Sequence, residues 1–432
     1  MSQPSLIVGI DLGTTNCAVA SADAAQGADA PVLDFAIPQL QRIGMVATLP
    51  LLPSCLYVSG EHELPPGSVQ LPWGESPKLV VGAFARWQGA RVPGRLVASA
   101  KSWLCHAGVD RSAPILPWGA PAEVARISPV KASASLLAHL AAAWNAAHPE
   151  APLASQEVVI TVPASFDEAA RALTVEAARQ AGLEKFTLVE EPQAAFYDFT
   201  AHHRGDLAEV LAGVRLALVV DVGGGTTDFT LVQIGVGPEG PALRRIAVGD
   251  HLMLGGDNMD AALARHVEEQ LLPAGRKLGA TQWTQLVQAA REAKEALLGE
   301  DAPPRYSLAV AAEGSRLLGG SLSAEIQQEV VEQLILDGFF PPCSAEEAPR
   351  RATRMALQEL GLPFAQDPAV TRHLAAFLRQ HAPAGFAALA ADRREHALPR
   401  PDAILFNGGV FNSPKISRRL IDIVSTWWPG QP

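Results

Sequence analysis

The sequence predicts an α/β protein built from two similar lobes. The first observation is the stretch at 218–230, LVVDVGGGTTDFT, in which an apolar strand meets an aspartate, three glycines and a second apolar strand. The second is its echo at 6–20, LIVGIDLGTTNCAVA, with the same order of strand, Asp11, Gly13, Thr14, Thr15 and strand. The third is the succession of β-branched strands and amphipathic helical stretches between and after the two copies. A motif stated twice, once early and once near mid-chain, predicts two related lobes facing each other across a cleft.

Each copy carries its own chemistry. Glycines between two strands permit positive φ and let backbone N–H groups approach a ligand closely. Amides converging in such a turn form a concave anion site. An acid beside an anion site repels the anion unless a cation lies between them. Asp221 and Asp228 therefore point to phosphate together with a hard, oxygen-seeking metal such as Mg²⁺.

Bulk properties bound the function. At 432 residues the chain is long for one core, so two or more domains are expected. It is 48% hydrophobic and 18% charged, as a folded globular protein is. A net charge of −11 gives no general attraction to nucleic acid or to an anionic membrane, so neither is expected as a partner. The start, MSQPSLIVG, lacks a basic region followed by a long apolar core, and no apolar run approaches a bilayer-crossing length. Cys17, Cys55, Cys105 and Cys343 fit no metal or redox spacing. Four free thiols in a reducing cytoplasm is the expectation. The pair His202–His203 reads as a solvated pair before a turn.

Along the chain, 5–22 reads as a hairpin and 24–75 as an irregular β subdomain. Residues 94–106 predict a short helix carrying Lys101, the only lysine in a mostly apolar neighbourhood; a snorkelling surface lysine is the plain alternative. A helix is expected at 132–147, and a β-branched strand at 157–163, EVVITVP. The helix at 167–181 has Asp167 as its cap and Gly182 as its stop. A strand at 185–189 leads into a helix at 190–199 with Pro192 in its first turn. This sets Glu190 and Glu191 at a strand's carboxyl end, where open α/β folds keep their sites. The same carboxylates could be simple caps. Residues 242–250 read as a strand. LGGDNMDAALARHV (254–267) places two glycines before a helix. In the amphipathic helix 281–298, Leu286, Ala290, Ala293 and Leu297 share one face, and Arg291 with Glu295 reads as an i,i+4 pair on a solvated one. A strand pair is expected at 303–322 and helices at 323–336, near 346–360, at 369–381 and at 413–424. DAILFNGG (402–409) reads as a strand and glycine turn.

Taken together, these motifs resemble the nucleotide-binding domain of the DnaK-type, seventy-kilodalton heat-shock chaperones, within the actin/hexokinase-like ATPase superfamily. IVGIDLGTTN is similar to the family's first phosphate motif, and VVITVPASFDEAAR to the strand–helix that follows. LVEEPQAAF resembles the first connecting motif, VVDVGGGTTDFTLV the second phosphate motif, LGGDNMD the glycine pair and ILFNGGVFNSPKI the adenosine motif. The resemblance covers most of the chain in order. It implies a two-lobed actin-like ATPase fold, each lobe a ribonuclease-H-like mixed sheet flanked by helices, with smaller subdomains at the cleft mouth. The implied subdomains are 1–38 with 131–211 for the first core and 39–130 for its satellite. For the second lobe they are 212–250 with 323–432 for the core, a helical insertion near 345–398, and 251–322 for the satellite.

The resemblance also implies roles. Asp11, Asp221 and Asp228 match the acids of the metal shell. Gly13, Thr14, Thr15 and Asn16 match the first phosphate hairpin, and Gly223, Gly224, Gly225, Thr226 and Thr227 the second. Lys101, Glu191, Asp221 and Thr226 match the catalytic set: the lysine near the γ-phosphate, the acids near the attacking water. Gly255, Gly256 and Lys294 match the ribose and nucleoside contacts, and Gly408, Gly409 and Asn412 the adenosine turn. ATP/ADP and Mg²⁺ are the implied cofactors, with K⁺ as a further candidate cation. Implied partners are co-chaperones and a C-terminal peptide-binding domain that does not follow in these residues, so a fragment is expected, with a divergent short form as the alternative. The departures cluster at the base: Asn412 and Val410 replace an arginine and a serine, and Glu295 and Leu298 an arginine and a serine. Weakened or altered base binding with intact phosphate chemistry is therefore expected. A low-turnover regulatory or scaffold module, a sugar or acid kinase and a filament-forming relative are the alternatives, and no carbohydrate-binding motif supports the kinase.

Overall fold

Strands β1 (Leu6–Leu12) and β2 (Asn16–Asp23) form the first expected hairpin, in register from Leu6↔Asp23 to Leu12↔Cys17. Val8, Ile10 and Leu12 are buried, while Ile7 and Asp11 on the opposite face are exposed. The two-residue period of a strand thus sends the apolar set to the core and leaves Asp11 at the surface. The computed structural model describes residues 6–74, 77–237, 240–273, 275–311, 321–350, 362–390 and 398–429. These divide into two units, Met1–Glu191 with Glu359–Pro363, and Pro192–Gln358 with Phe364–Pro432.

In the first unit the hairpin is followed by short strands: β3 (Leu33–Asp34), β4 (Ile37–Arg42), β5 (Met45–Leu49), β6 (Leu52–Pro53), β7 (Leu56–Val58) and β8 (Leu79–Val81). Helix α1 (Ala83–Gly89), β9 (Leu96–Val97) and α2 (Ala100–Cys105) come next. The helix expected over 94–106 is thus shorter, and β9 occupies its start. The long α3 (Pro129–Ala147) leads to β10 (Glu157–Val162), α4 (Glu168–Gln180) and β11 (Thr187–Glu190). Asp167 caps α4 as expected, its side chain accepting from Ala170 N–H at 2.7 Å. The main sheet runs β11-β10-β1-β2-β3, with β6 also on β2. β10 is parallel to β1, and β11 to β10.

The second unit begins at Pro192 in α5 (Glu191–His202), and α6 (Leu207–Val210) follows. Its hairpin, β12 (Leu216–Val222) and β13 (Thr227–Gly237), continues into β14 (Gly240–Val248). Helices α7 (Gly256–Leu271) and α8 (Ala280–Leu298), strands β15 (Arg305–Ala311) and β16 (Ser321–Gln327), and helices α9 (Gln328–Phe339), α10 (Val370–Gln380) and α11 (Ala382–Leu389) follow. β17 (Ala403–Asn407) and α12 (Pro414–Ser425) complete the described chain. The sheet order is β14-β13-β12-β17, with β17 parallel to β12. Each unit therefore repeats one plan: an antiparallel hairpin whose first strand has a parallel strand on its other side. The repeat of this plan is what the doubled motif predicted.

β12 explains why its sequence is apolar without alternation. Leu216, Leu218, Val220 and Val222 enter the large core with α7, α8 and α12, while Ala217 and Val219 pack with Phe196, Val232 and Ile234 on the other face. A strand covered on both sides reads as a continuous hydrophobic run. Asp221 shares the face of Ala217 and Val219 at the end of that run. On α8, Leu286, Ala290, Ala293 and Leu297 are all fully buried, as their spacing predicted.

Other expectations are corrected. β16 runs to Gln327, so the helix expected from 323 begins at Gln328. The alternating burial of Ser321–Gln327 against β15 holds that stretch as strand. Residues 346–350 form a turn and irregular chain, not helix, and 351–361 and 391–397 of the expected insertion lie outside the described residues. Arg350 N–H and Arg372 instead converge on Asp367 there. Arg372 Nε and Nη2 each lie 2.7 Å from an Asp367 oxygen, and Arg350 and Ala369 N–H donate at 2.7 and 3.0 Å.

Burial alone would raise the Asp367 carboxyl. The Arg372 guanidinium and the two N–H groups outweigh it and hold the carboxyl at about 2. Its folded value lies below the unfolded one of about 4. The contribution is therefore complete above that value and lost as pH falls through about 2. Urea unfolding between about pH 5 and pH 2 should show wild type losing on the order of 2 kcal/mol that Asp367→Asn lacks throughout. Parallel pH profiles for the two would remove Asp367 from the acid limb.

Candidate functional site

The first unit assembles its candidate residues around the end of β1. Asp11 is fixed by Thr161 on β10, whose hydroxyl donates to Asp11 Oδ1 at 2.7 Å. The hairpin turn is anchored through its carbonyls. Ser54 Oγ donates to Gly13 O at 2.6 Å, Ser54 N–H to Thr15 O at 2.9 Å, and Arg86 Nη2 to Thr15 O and Asn16 Oδ1 at 3.1 Å each. In a trans peptide the N–H points opposite to the carbonyl. Holding Gly13 O toward Ser54 therefore turns Thr14 N–H away from it, which is the orientation an anion-binding turn needs. Cys17, next in β2, is sealed: burial pushes its thiol up to about 12, so it stays protonated beside Ser54.

Lys101 is not a snorkelling lysine. It is 7% exposed and forms an ion pair with Glu191, itself 16% exposed. The two residues lie 90 positions apart, and the structure brings them into direct contact. Helix α2 presents the lysine from an unusual start: Ser99 has φ 55° and ψ 34°, a left-handed conformation for a residue with a side chain. Ser99 O accepts from Ser102 and Trp103 N–H, and buried Trp103 anchors the helix. Strain of this kind persists only where packing enforces it. Glu190, one residue earlier, is engaged by Arg171 at 2.6 Å and so faces a different partner from Glu191.

In the second unit, three backbone segments meet at the end of β12. Gly223 N–H donates to Thr226 O at 2.9 Å and closes the turn. The start of α7 staples the loop, with Gly256 N–H on Gly223 O at 3.0 Å and Asp257 N–H on Gly224 O at 2.7 Å. A Cβ on Gly255 would lie 2.6 Å from both Gly223 O and Gly224 O. Gly408, after β17, has φ +89°, and a Cβ there would meet Val222 O at 2.3 Å. Gly225 is buried, whereas Gly409 and Asn412 are exposed. Thr227 is fully buried, with its N–H on Leu252 O at 2.9 Å and its hydroxyl on Leu254 O at 2.7 Å. Its donors are thus committed to holding the loop.

The acids of this hairpin are also held. Asp221 and Asp228 are directly opposite in the β12–β13 register. Residues opposite each other share a sheet face, and like charges there repel. Asn407 Nδ2 donates to Asp221 Oδ2 at 2.8 Å, and His251 Nδ1 lies 3.1 Å from both oxygens of Asp228. The sequence reading missed Ser54, Arg86, Thr161, Asn407 and His251, because each contacts its partner only through the tertiary fold.

The helix pair α7–α8 corrects one reading. Arg291 does not pair with Glu295 on its own helix. It bonds Asp260 at 2.8 Å and also Asp257, while Lys294 bonds Asp260 at 2.6 Å and Gly256 O at 3.1 Å. Asp260 is fully buried, and a buried carboxylate is tolerable only when paired. An exposed i,i+4 pair contributes a few tenths of a kcal/mol, so Asp260 takes the arginine. Lys294 and Val410 both border Gly256, where an added Cβ would lie 3.1 Å from Lys294 Nζ and 3.5 Å from Val410 Cγ2.

Carboxylate oxygens, as Asp11 offers in the first unit and Asp221 with Asp228 in the second, are of the hard kind that Mg²⁺ takes. Among the described residues no three His, Cys, Asp or Glu groups form a metal cage. Mg²⁺ retains water and substrate phosphate as ligands, so carboxylates presented singly or in pairs are a sufficient protein contribution.

Hairpins of this kind on paired mixed α/β sheets define an actin-like ATPase fold. The sequence model of the family described as Hsp70 protein matches residues 110–343, more than half of the chain. The chain belongs to the Hsp70 protein family. It is 33% identical over 309 residues to the chaperone protein HscA of Enterobacter sp. (strain 638), covering 68% of this chain and 42% of that protein. It is 31% identical over 349 residues to the HscA homolog of Bordetella pertussis, covering 77% of this chain and 47% of that protein. The chain thus spans less than half the length of these curated relatives. Among the described residues, no helix is long and apolar enough to cross a membrane.

The Gly255 contact yields a direct test. Gly255→Ala should separate α7 from the 223–225 loop and lower stability by about 1–3 kcal/mol, read as a lower urea midpoint, with nucleotide binding weakened. An unchanged midpoint with unchanged nucleotide affinity would show that the close approach is not required.

Proposed function

We propose that this chain binds ATP and hydrolyses it to ADP and phosphate with Mg²⁺, as the nucleotide-driven part of a DnaK-like chaperone. The observation that carries this reading is the contact between Lys101 and Glu191, a cation and an acid from distant parts of the chain, held nearly dry in the unit that carries the first phosphate hairpin. Phosphoryl transfer to water asks the protein for charge neutralisation and alignment more than for covalent chemistry. Lys101 would neutralise the γ-phosphate oxygens. Glu191, an acceptor when ionised, would orient the attacking water and take its proton as the water oxygen bonds to phosphorus and the bridge to the β-phosphate breaks. Thr14 N–H and the 223–226 loop would receive phosphate oxygens. Asp11, Asp221 and Asp228 would hold Mg²⁺, which supplies charge neutralisation on the phosphates when bound.

Hydrolysis would drive opening and closing of the lobes. Co-chaperones and a peptide-binding domain would read that motion, in keeping with relatives named chaperone proteins. Four free cysteines suit a cytoplasmic setting. A second reading, a nucleotide-binding module of low turnover and altered base preference, draws support from Asp260, which commits Arg291 and Lys294 beside Gly256.

Single-turnover hydrolysis separates the two. Lys101→Ala should slow the rate by about 10²–10³-fold while ATP still binds. An unchanged rate would remove Lys101 from the mechanism, and a wild type without turnover would favour the second reading.

A further inference from the structure

Each acid predicted for the metal shell has a polar side chain from a neighbouring element against it: Thr161 on Asp11, Asn407 on Asp221, and His251 on Asp228. The first two lie on adjacent sheet strands, where a register partner comes with the fold. His251 is different. It belongs to the irregular segment between β14 and α7, outside every strand. The segment is brought in by a bridge in which Thr227 and Leu252 exchange both backbone hydrogen bonds, at 2.9 and 3.2 Å. That bridge sets residue 251 beside residue 228.

The contact is nearly dry, with side-chain exposures of 12% for His251 and 8% for Asp228. Nδ1 stands 3.1 Å from Oδ1 and 3.1 Å from Oδ2. With a carboxylate as acceptor, Nδ1 is the protonated nitrogen of the ring. A donor shared between both oxygens fixes the plane of the carboxylate. Asp228 must also stand opposite Asp221, a like charge on the same face. A carboxylate so placed turns away unless something holds it.

We infer that His251 is a positioning residue that fixes the Asp228 carboxylate so that the 221/228 pair is ready for the cation of a Mg²⁺–nucleotide complex. The inference rests on the proposed Mg²⁺-dependent nucleotide site. His251 acts through Asp228 and touches neither nucleotide nor metal. Groups that orient metal-binding carboxylates commonly carry about 10–100-fold of metal affinity.

The test is calorimetric titration of the whole 432-residue chain with ADP, in Mg²⁺ and in EDTA, which gives the gain in affinity due to the metal. His251→Ala should reduce that gain about tenfold and leave the affinity in EDTA unchanged. His251→Asn keeps a donor nitrogen at the δ position and should restore most of the gain. An alanine variant with the full Mg²⁺ gain would overturn the inference. So would equal losses in Mg²⁺ and EDTA, or an asparagine variant no better than alanine, since either marks a structural role alone. A wild type with no Mg²⁺ gain would overturn the site reading itself, a result distinct from the other three.

Discussion

The second unit depends on backbones meeting without side chains at the carboxyl end of β12. Gly255 faces the carbonyls of Gly223 and Gly224, and Gly408 faces that of Val222, at distances no Cβ could share. Three chain segments thereby converge on one point: the glycine loop, the start of α7 and the turn after β17. Hydrogen bonds from Gly256 and Asp257 N–H lock the first two together. The strand beneath is packed on both faces, so it supplies a rigid floor for the loop. Sites on such scaffolds hold their geometry better than sites on free loops.

Charge is managed on the same principle in both units. Asp11, Asp221 and Asp228 are each held by a polar partner, while Lys101 is paired with Glu191 and Asp260 with both Arg291 and Lys294. Thr161, Asn407 and His251 hold their acids without a guanidinium or an ammonium. Asp260 is instead held by the Arg291 guanidinium and paired with the Lys294 ammonium.

Much of this was legible in the sequence because local rules and tertiary packing agree there. The repeated strand–Asp–Gly–Thr pattern gave both hairpins, and the apolar spacing of Leu286, Ala290, Ala293 and Leu297 gave the buried face of α8. What escaped was set by long-range geometry. Nothing near Arg86 or Ser54 signals that both reach the 13–16 turn, and nothing near His251 signals Asp228. Arg291 misled because a same-helix partner lies four residues on, yet a buried carboxylate on α7 binds it more strongly. The limit of β16 was misjudged because a half-buried alternating strand and the start of an amphipathic helix share apolar residues over one turn.

The central claim is that the 13–15 and 223–226 turns are nucleotide phosphate loops. Amide hydrogen exchange with and without Mg²⁺ and a non-hydrolysable ATP analogue tests it most directly. Slowed exchange in both turns on adding the analogue, reversed by EDTA, is the predicted result. Exchange unchanged in both turns while the analogue binds elsewhere would contradict the account.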